Sequence, residues 1–271
     1  MTQLQEAYKN NVTIIAVTDE ALDVVKPFVT SMGKKMEYTV VIDENKQTNR
    51  DWMQAAGQGG IPAAFVVDGS GKIAFIGHPM ELDSVLPKVA SGRYDPELEK
   101  WAKPIIEQIN WSVKMRDWQA FDTYVTRVID ESPRIFSDIA IKKFRVLLLD
   151  KGDVEGAIEY LSEFSSTYAD DPETLSQLAE LILTDSTVLK AAPEELKPAA
   201  LDLAEQAAES SNQPDAMRVY AMALYQNGRA EEAIEVQKKA YFMVEPEQKE
   251  EYRRLLEQYQ NQTAKRAGVG G

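Results

Sequence analysis

Two kinds of apolar pattern divide this chain, and the boundary between them limits what it can fold into. In the first part, runs of β-branched residues have the length of strands, as at 12–17 and 38–42. After residue 96 such runs give way to Ala, Leu, Glu and Gln in helical periodicity. The change predicts an α/β domain over 1–92, a linker at 93–96 and a helical domain over 97–263.

The first domain is predicted to alternate helices and strands. Helices are expected at 2–9, 21–32, 45–56 and 81–90, and strands at 12–17, 38–42, 63–67 and 73–76. The two earlier apolar runs do not alternate with polar residues, which is typical of parallel strands buried on both faces. Helices between the strands therefore favour one mainly parallel sheet whose last strand is antiparallel.

The stretch 57–77 carries the clearest turn and strand pattern in the chain. Its two apolar runs are joined by Asp68-Gly69-Ser70-Gly71, which predicts a β-hairpin. Gly59-Gly60-Ile61-Pro62 precedes the first run, at a position where a strand tolerates proline. A bond preceding proline is also the one peptide bond that can be cis at modest cost.

This hairpin resembles that of the TlpA-like thiol–disulfide oxidoreductases and redoxins, which have a thioredoxin-like fold. The similar features are Gly60-Ile61-Pro62, the strand ending in Val67-Asp68, and Gly77-His78-Pro79 after the hairpin. The resemblance covers about 1–92 and implies a thioredoxin-like α/β domain that lacks the first strand and the start of the active-site helix.

The same resemblance implies a binding role for the proline loop. In that family the proline is cis, and substrate peptides pair with the backbone of the residue before it. Gly60, Ile61 and Pro62 are therefore the predicted substrate-binding residues, and protein or peptide clients are the predicted partners. The resemblance also implies a periplasmic or other extracytoplasmic location, which the chain itself does not indicate.

The family's redox chemistry depends on a C-x-x-C motif, and this chain contains no cysteine. No thiolate nucleophile exists, so no catalytic residue is predicted. Two hypotheses stay open: a fragment of a thiol–disulfide oxidoreductase, and a redox-inactive scaffold that binds proteins. The first expects the sequence upstream of Met1 to encode an apolar strand followed by Trp-Cys-x-x-Cys. It also expects the open sheet edges to allow self-association.

The second domain contains internal similarity. Residues 151–159 align with 227–235, so that a Gly and an Ala five residues later recur 76 residues apart. Met115–Ala120 fits the same frame 37 residues before Ala157. These steps resemble tetratricopeptide repeats, which implies an all-α solenoid of about four helix pairs over 97–244. A capping helix is expected at 247–263 and a disordered tail at 264–271.

Charge and the remaining polar residues exclude several function classes. A net charge of −14 without a basic cluster disfavours nucleic acid as a partner. No apolar run has the length of a membrane span, and no cofactor or metal site is predicted. His78, Asp43 and Asp68 are predicted to fix turns and helix starts rather than to act in catalysis.

Overall fold

The computed structural model describes residues 1–9 and 11–268, and the chain divides into two compact units, Met1–Lys100 and Trp101–Gly271. The front unit contains three α-helices and four strands in its described part. The helices are α1 (Thr2–Ala7), α2 (Leu22–Met32) and α3 (Leu82–Ala90), and the strands are β1 (Ile15–Thr18), β2 (Thr39–Ile42), β3 (Ala64–Val67) and β4 (Ile73–Gly77). Three of the four strands begin and end within one residue of their predicted ranges, whereas β1 begins three residues later than predicted. The helix predicted at 45–56 is instead a 3₁₀ turn, Glu44–Lys46, followed by a π-helical segment, Asn49–Gln54.

The strands do not form the single sheet that the sequence predicts. β1 pairs with β2 in parallel, β3 pairs with β4 antiparallel, and no described strand joins the two ladders. The predicted thioredoxin-like α/β fold is therefore wrong for this chain. The physical reason is that a continuous sheet needs a strand paired with both ladders, and none of the described residues supplies one.

The front unit buries little apolar surface as a consequence. Ile15 and Val17 of β1 are 55% and 46% exposed, although parallel strands are normally covered on both faces. The buried apolar residues found in the described part of this unit are Val25, Leu82, Val85 and Leu86. Isolated two-stranded ladders are marginal in water, so this unit lacks a self-sufficient core.

From Pro96 onward the chain is helical. The helices are α4 (Pro96–Met115), α5 (Trp118–Glu131), α6 (Ser137–Arg145), α7 (Val154–Thr167), α8 (Pro172–Thr184), α9 (Ser186–Ala191), α10 (Pro193–Ser210), α11 (Pro214–Gln226), α12 (Ala230–Met243) and α13 (Lys249–Gly268). α6 continues into a π-helical segment, Val146–Lys151. These helices are compatible with the predicted helix pairs, namely α4 with α5, α6 with α7, α8 with α10, and α11 with α12. The predicted disordered tail overlaps the end of α13, and residues 269–271 lie outside the described part of the chain.

A left-handed residue ends the first helix in three of the four pairs. Arg116, Gly152 and Gly228 have φ of 56°, 71° and 81°. Asp117 and Asp153 follow the first two, and each carboxylate accepts the amide three residues later. The first two turns are thus 36 residues apart. The predicted alignment of the first repeat, which placed Met115 at the position of Gly152, is therefore wrong by one residue, since Arg116 occupies that position.

The second helix of every pair buries residues with the same spacing. From a buried position i, further buried residues follow at i+4 and i+7, and in the later pairs also at i+11. We call this row of buried side chains the stripe. The stripe residues are Phe121, Val125 and Val128 in α5; Ala157, Leu161, Phe164 and Tyr168 at α7; Leu196, Ala200, Leu203 and Ala207 in α10; and Ala233, Gln237, Ala240 and Val244 at α12, each at most 5% exposed. This spacing places the stripe on one helix face, which packs into the core of the helical unit.

Polar contacts join successive helix pairs beside this core. Arg218 of α11 donates to Glu180 of α8 across 2.8 Å, and Arg218 is largely buried. Gln226 donates to the carbonyl of Leu183 across 3.0 Å. Because each contact links one pair to the next, the helical unit is held together chiefly by neighbouring elements.

The difference in buried core between the two units predicts how fragments behave. We expect residues 97–263, expressed alone, to give a helical circular dichroism spectrum and one cooperative thermal transition. Residues 1–92 alone should melt broadly and bind a hydrophobic dye, because their ladders leave apolar faces exposed. A disordered spectrum for 97–263, or a sharp transition for 1–92, would contradict this division.

Candidate functional site

The predicted substrate-binding residues form an exposed loop immediately before β3. The Ile61–Pro62 peptide bond is cis, as predicted from the sequence. Ile61 is 89% exposed, and Gly60 and Pro62 are also exposed. The structure thus places the three residues together on the surface, while their predicted role in binding stays a prediction.

The backbone of this loop is available for hydrogen bonding. The amides of Gly59, Gly60 and Ile61 have no hydrogen-bond partner within residues 1–9 and 11–268. β3, which follows, pairs with β4 along one edge and with no described strand along the other. The loop and the free edge of β3 therefore form one continuous run of backbone with unused donors and acceptors, which we call the β3 edge (residues 59–67).

Aromatic packing supports the strand from one side. The Trp52 ring meets the Phe65 ring edge-on, with 5.5 Å between the centroids and an interplanar angle of 89°. Trp52 itself stays 38% exposed. Edge-to-face contacts of this kind stabilise by about 0.5–1.5 kcal/mol beyond area burial. Trp52 thus helps to fix β3 and still presents aromatic surface beside it.

Trp52 also lines a cleft that the sequence does not indicate. The cleft has a volume of about 350 Å³, and its walls include Asp43, Glu44 and Asp51. Asp43 directly follows β2, whereas Glu44 and Asp51 come from the 3₁₀ and π-helical segments that replace the helix predicted at 45–56. That irregular backbone explains why helical periodicity could not reveal the cleft. Among the described residues, no group of His, Cys, Asp or Glu has an arrangement that could hold a metal ion.

Asp43 and Asp68 serve the local structure, as predicted. Burial raises the pKa of Asp43, but the amides of Thr48 and Asn49, at 2.7 and 2.9 Å, outweigh it and bring the pKa below its usual value. Asp68 accepts from the hydroxyl and amide of Ser70 and the amide of Lys72, which lowers its pKa. Carboxylates held ionised by turn amides are poor candidates for general bases.

His78 anchors a turn, which confirms its prediction as a loop residue. Its Nδ1 accepts the amide of Met80 at 3.2 Å, and its own amide donates to Glu81 at 3.0 Å. This reciprocal arrangement is a capping box at the start of the 3₁₀ turn Pro79–Glu81. Nδ1 of the imidazole is thus occupied by a backbone amide.

Comparisons with known proteins give one partial match. A stretch of 79 residues is 34% identical to Protein FixW of Rhizobium leguminosarum, covering 29% of this chain and 36% of that protein. The chain therefore spans about a third of the length of the curated relative that it matches. A scan against known protein families gives no match, and no solved structure matches the chain. None of the helices in the described ranges is both long and apolar enough to cross a membrane.

The exposure of Ile61 predicts that its side chain contributes nothing to folding. Ile61→Asp should change the free energy of unfolding of the full chain by less than about 0.5 kcal/mol, as surface substitutions do. Phe164→Ala, at a side chain only 1% exposed, should lower it by about 3–5 kcal/mol. Urea unfolding followed by circular dichroism would measure both. A loss of stability in Ile61→Asp comparable to that in Phe164→Ala would show that Ile61 is a structural residue.

Proposed function

We propose that this chain is a redox-inactive scaffold that binds extended segments of partner proteins along the β3 edge. The observation that carries the proposal is the unpaired backbone of residues 59–61, continuous with the free edge of β3 and flanked by the exposed Ile61 side chain. An extended segment could add to this edge as a further strand. Such strand addition obtains affinity from main-chain hydrogen bonds and specificity from side-chain contacts.

The energetics of this edge favour a modest, reversible interaction. Each new hydrogen bond contributes a net of about 0.5–1.5 kcal/mol. Complete burial of the Ile61 side chain would add about 1.5–3 kcal/mol. Ordering the partner segment opposes these gains, so several contacts along the edge must form together.

Sequence resemblance supports a relation between the front unit and the TlpA-like and redoxin family. Its features are Gly60-Ile61-Pro62 and the hairpin that follows, and the partial match to Protein FixW is compatible with a relation that covers only part of the chain. We do not infer from this match that the chain has the activity of any relative. Without cysteine, no mixed disulfide can form on this chain, so thiol–disulfide exchange is not part of the proposal.

The helical unit supports the scaffold interpretation. Its tetratricopeptide-like helix pairs contact mainly their neighbours, an arrangement that creates an extended surface without requiring a catalytic centre. We propose that protein or peptide clients are the partners of both units.

Binding of an unfolded protein tests the proposed function directly. Reduced and carbamidomethylated ribonuclease stays unfolded and can be labelled for fluorescence anisotropy. We expect the full chain to bind it, and we expect Ile61→Asp to weaken binding about tenfold, a loss of about 1.4 kcal/mol.

The matched control for that experiment is Ile15→Asp, which makes the same change at an exposed isoleucine of β1. It should leave the affinity within about twofold, because β1 belongs to the other ladder. Equal weakening by both variants would indicate general adhesion to apolar surface and would refute a specific β3 edge.

The cysteine count generates a second expectation. In an insulin reduction assay with dithiothreitol, this chain should give the same rate as the blank without protein, because it has no thiolate. A rate well above that blank would overturn the redox-inactive part of the proposal.

A further inference from the structure

The third helix pair departs from the others at its turn. Where the other pairs have a left-handed residue, α8 and α10 are connected through the short helix α9. Asp185 fixes the start of α9, since its carboxylate accepts the amide of Thr187 at 2.9 Å and pairs with Arg145 at 2.9 Å. Val188 and Ala192 are buried in the core. The inserted helix is therefore held firmly in place.

This insertion creates a cleft between α9 and the start of α10, which we call the α9 cleft. It is lined by Ser186, Leu189, Lys190, Pro193 and Lys197, has a volume of about 310 Å³, and has a largely apolar wall. The volume lies at the lower end of the range of about 300–1,000 Å³ seen for ligand sites. A cleft of this size can receive one apolar side chain of a peptide segment, but it is too small to receive the surface of a folded protein.

The position of Lys197 is fixed by the next helix pair. Its carbonyl accepts the side-chain amide of Asn227 at 2.9 Å, and the adjacent Leu196 is completely buried. Lys197 thus projects from a fixed backbone beside the cleft. Lys190 lies in the last turn of the capped helix α9.

Both charged residues that line the α9 cleft are basic. The whole chain carries −14, yet no carboxylate lines the cleft. Lys190 and Lys197 form no ion pair with any residue in the described ranges. Glu194 and Glu195 lie nearby in sequence but do not line it, and Asp185 is occupied by Arg145 and the α9 amides.

We propose that the α9 cleft binds an acidic segment of a partner protein, with one apolar side chain seated against Leu189 and Pro193. Carboxylates flanking that side chain would pair with Lys190 and Lys197. Apolar burial would supply affinity, and the two ammonium groups would select acidic sequences. This site is separate from the β3 edge and does not depend on the function proposed for it.

A nucleic acid fits the same observations poorly. Polyanions require extended basic surface, and the surrounding chain is strongly acidic. The phosphate groups of a nucleic acid would also make no favourable contact with the apolar wall of the cleft. The chemistry that uses both features of the cleft is a carboxylate adjacent to an apolar side chain.

The test uses the full chain and three fluorescein-labelled peptides, followed by anisotropy up to millimolar protein. The acidic apolar probe is Asp-Asp-Phe-Asp-Asp; Asp-Asp-Ser-Asp-Asp lacks the apolar group, and Lys-Lys-Phe-Lys-Lys reverses the charge. We expect binding of the first probe to be at least about tenfold tighter than binding of either other peptide. Equal binding of the serine peptide, tighter binding of the basic peptide, or no binding of the first probe would overturn the proposal.

Charge reversal localises the site. The double variant Lys190→Glu and Lys197→Glu should lose at least about tenfold in affinity for the acidic apolar probe. The matched double variant Lys103→Glu and Lys239→Glu changes net charge equally at exposed lysines outside the cleft and should stay within about twofold. Equal losses in both would show that net charge alone governs binding, and no loss in the first would place the probe elsewhere.

A neutral variant keeps the test valid if charge reversal disturbs folding. Lys190→Gln with Lys197→Gln should weaken binding while leaving the thermal transition of the full chain unchanged. Salt should weaken probe binding to the unaltered chain, because ion pairs at this exposed site are screened. Unchanged affinity in the glutamine variant would overturn the role of the two lysines.

Discussion

Burial of one recurring stripe holds the helical unit together. In the second helix of every pair, side chains spaced by four and then three residues face the core, and successive pairs cover one another. α12 carries Gln237 where the equivalent positions in earlier pairs are Val125, Leu161 and Ala200. Gln237 is fully buried and donates to the carbonyl of Tyr252 at 3.1 Å. A polar group in the stripe is thus used to hold α13, which covers the last pair.

The front unit has no comparable buried core in its described part. Each of its two ladders leaves both outer strand edges without a described partner, and apolar residues of β1 stay on the surface. A free strand edge is a liability for a monomer, because it can pair with other chains. The same edge is what makes strand addition possible. The lack of a described strand between the two ladders therefore accounts for the small core. It also leaves free the strand edge on which the proposed binding site depends.

Local patterns predicted the elements of this chain much better than their assembly. Strand positions followed from β-branched runs, and the hairpin turn and the turn-fixing roles of Asp43 and Asp68 followed from short-range chemistry that the sequence displays directly. The single-sheet prediction failed because strand pairing is a long-range property that local patterns do not report, and no described strand pairs with both ladders. Arg116 shows a second limit: it takes a left-handed conformation that favours glycine, so the glycine pattern set the repeat one residue out of register. The α9 cleft was missed because the repeat pattern does not indicate a short helix inserted between α8 and α10.

The proposed β3 edge can be examined without any substitution. Amide hydrogen exchange of the full chain, measured with and without unfolded ribonuclease, reports which backbone groups gain partners. We expect new protection concentrated at residues 59–67, where the amides of Gly59, Gly60 and Ile61 are free in the structure. Binding that protects other segments and leaves residues 59–67 exchanging at their original rate would contradict strand addition at this edge.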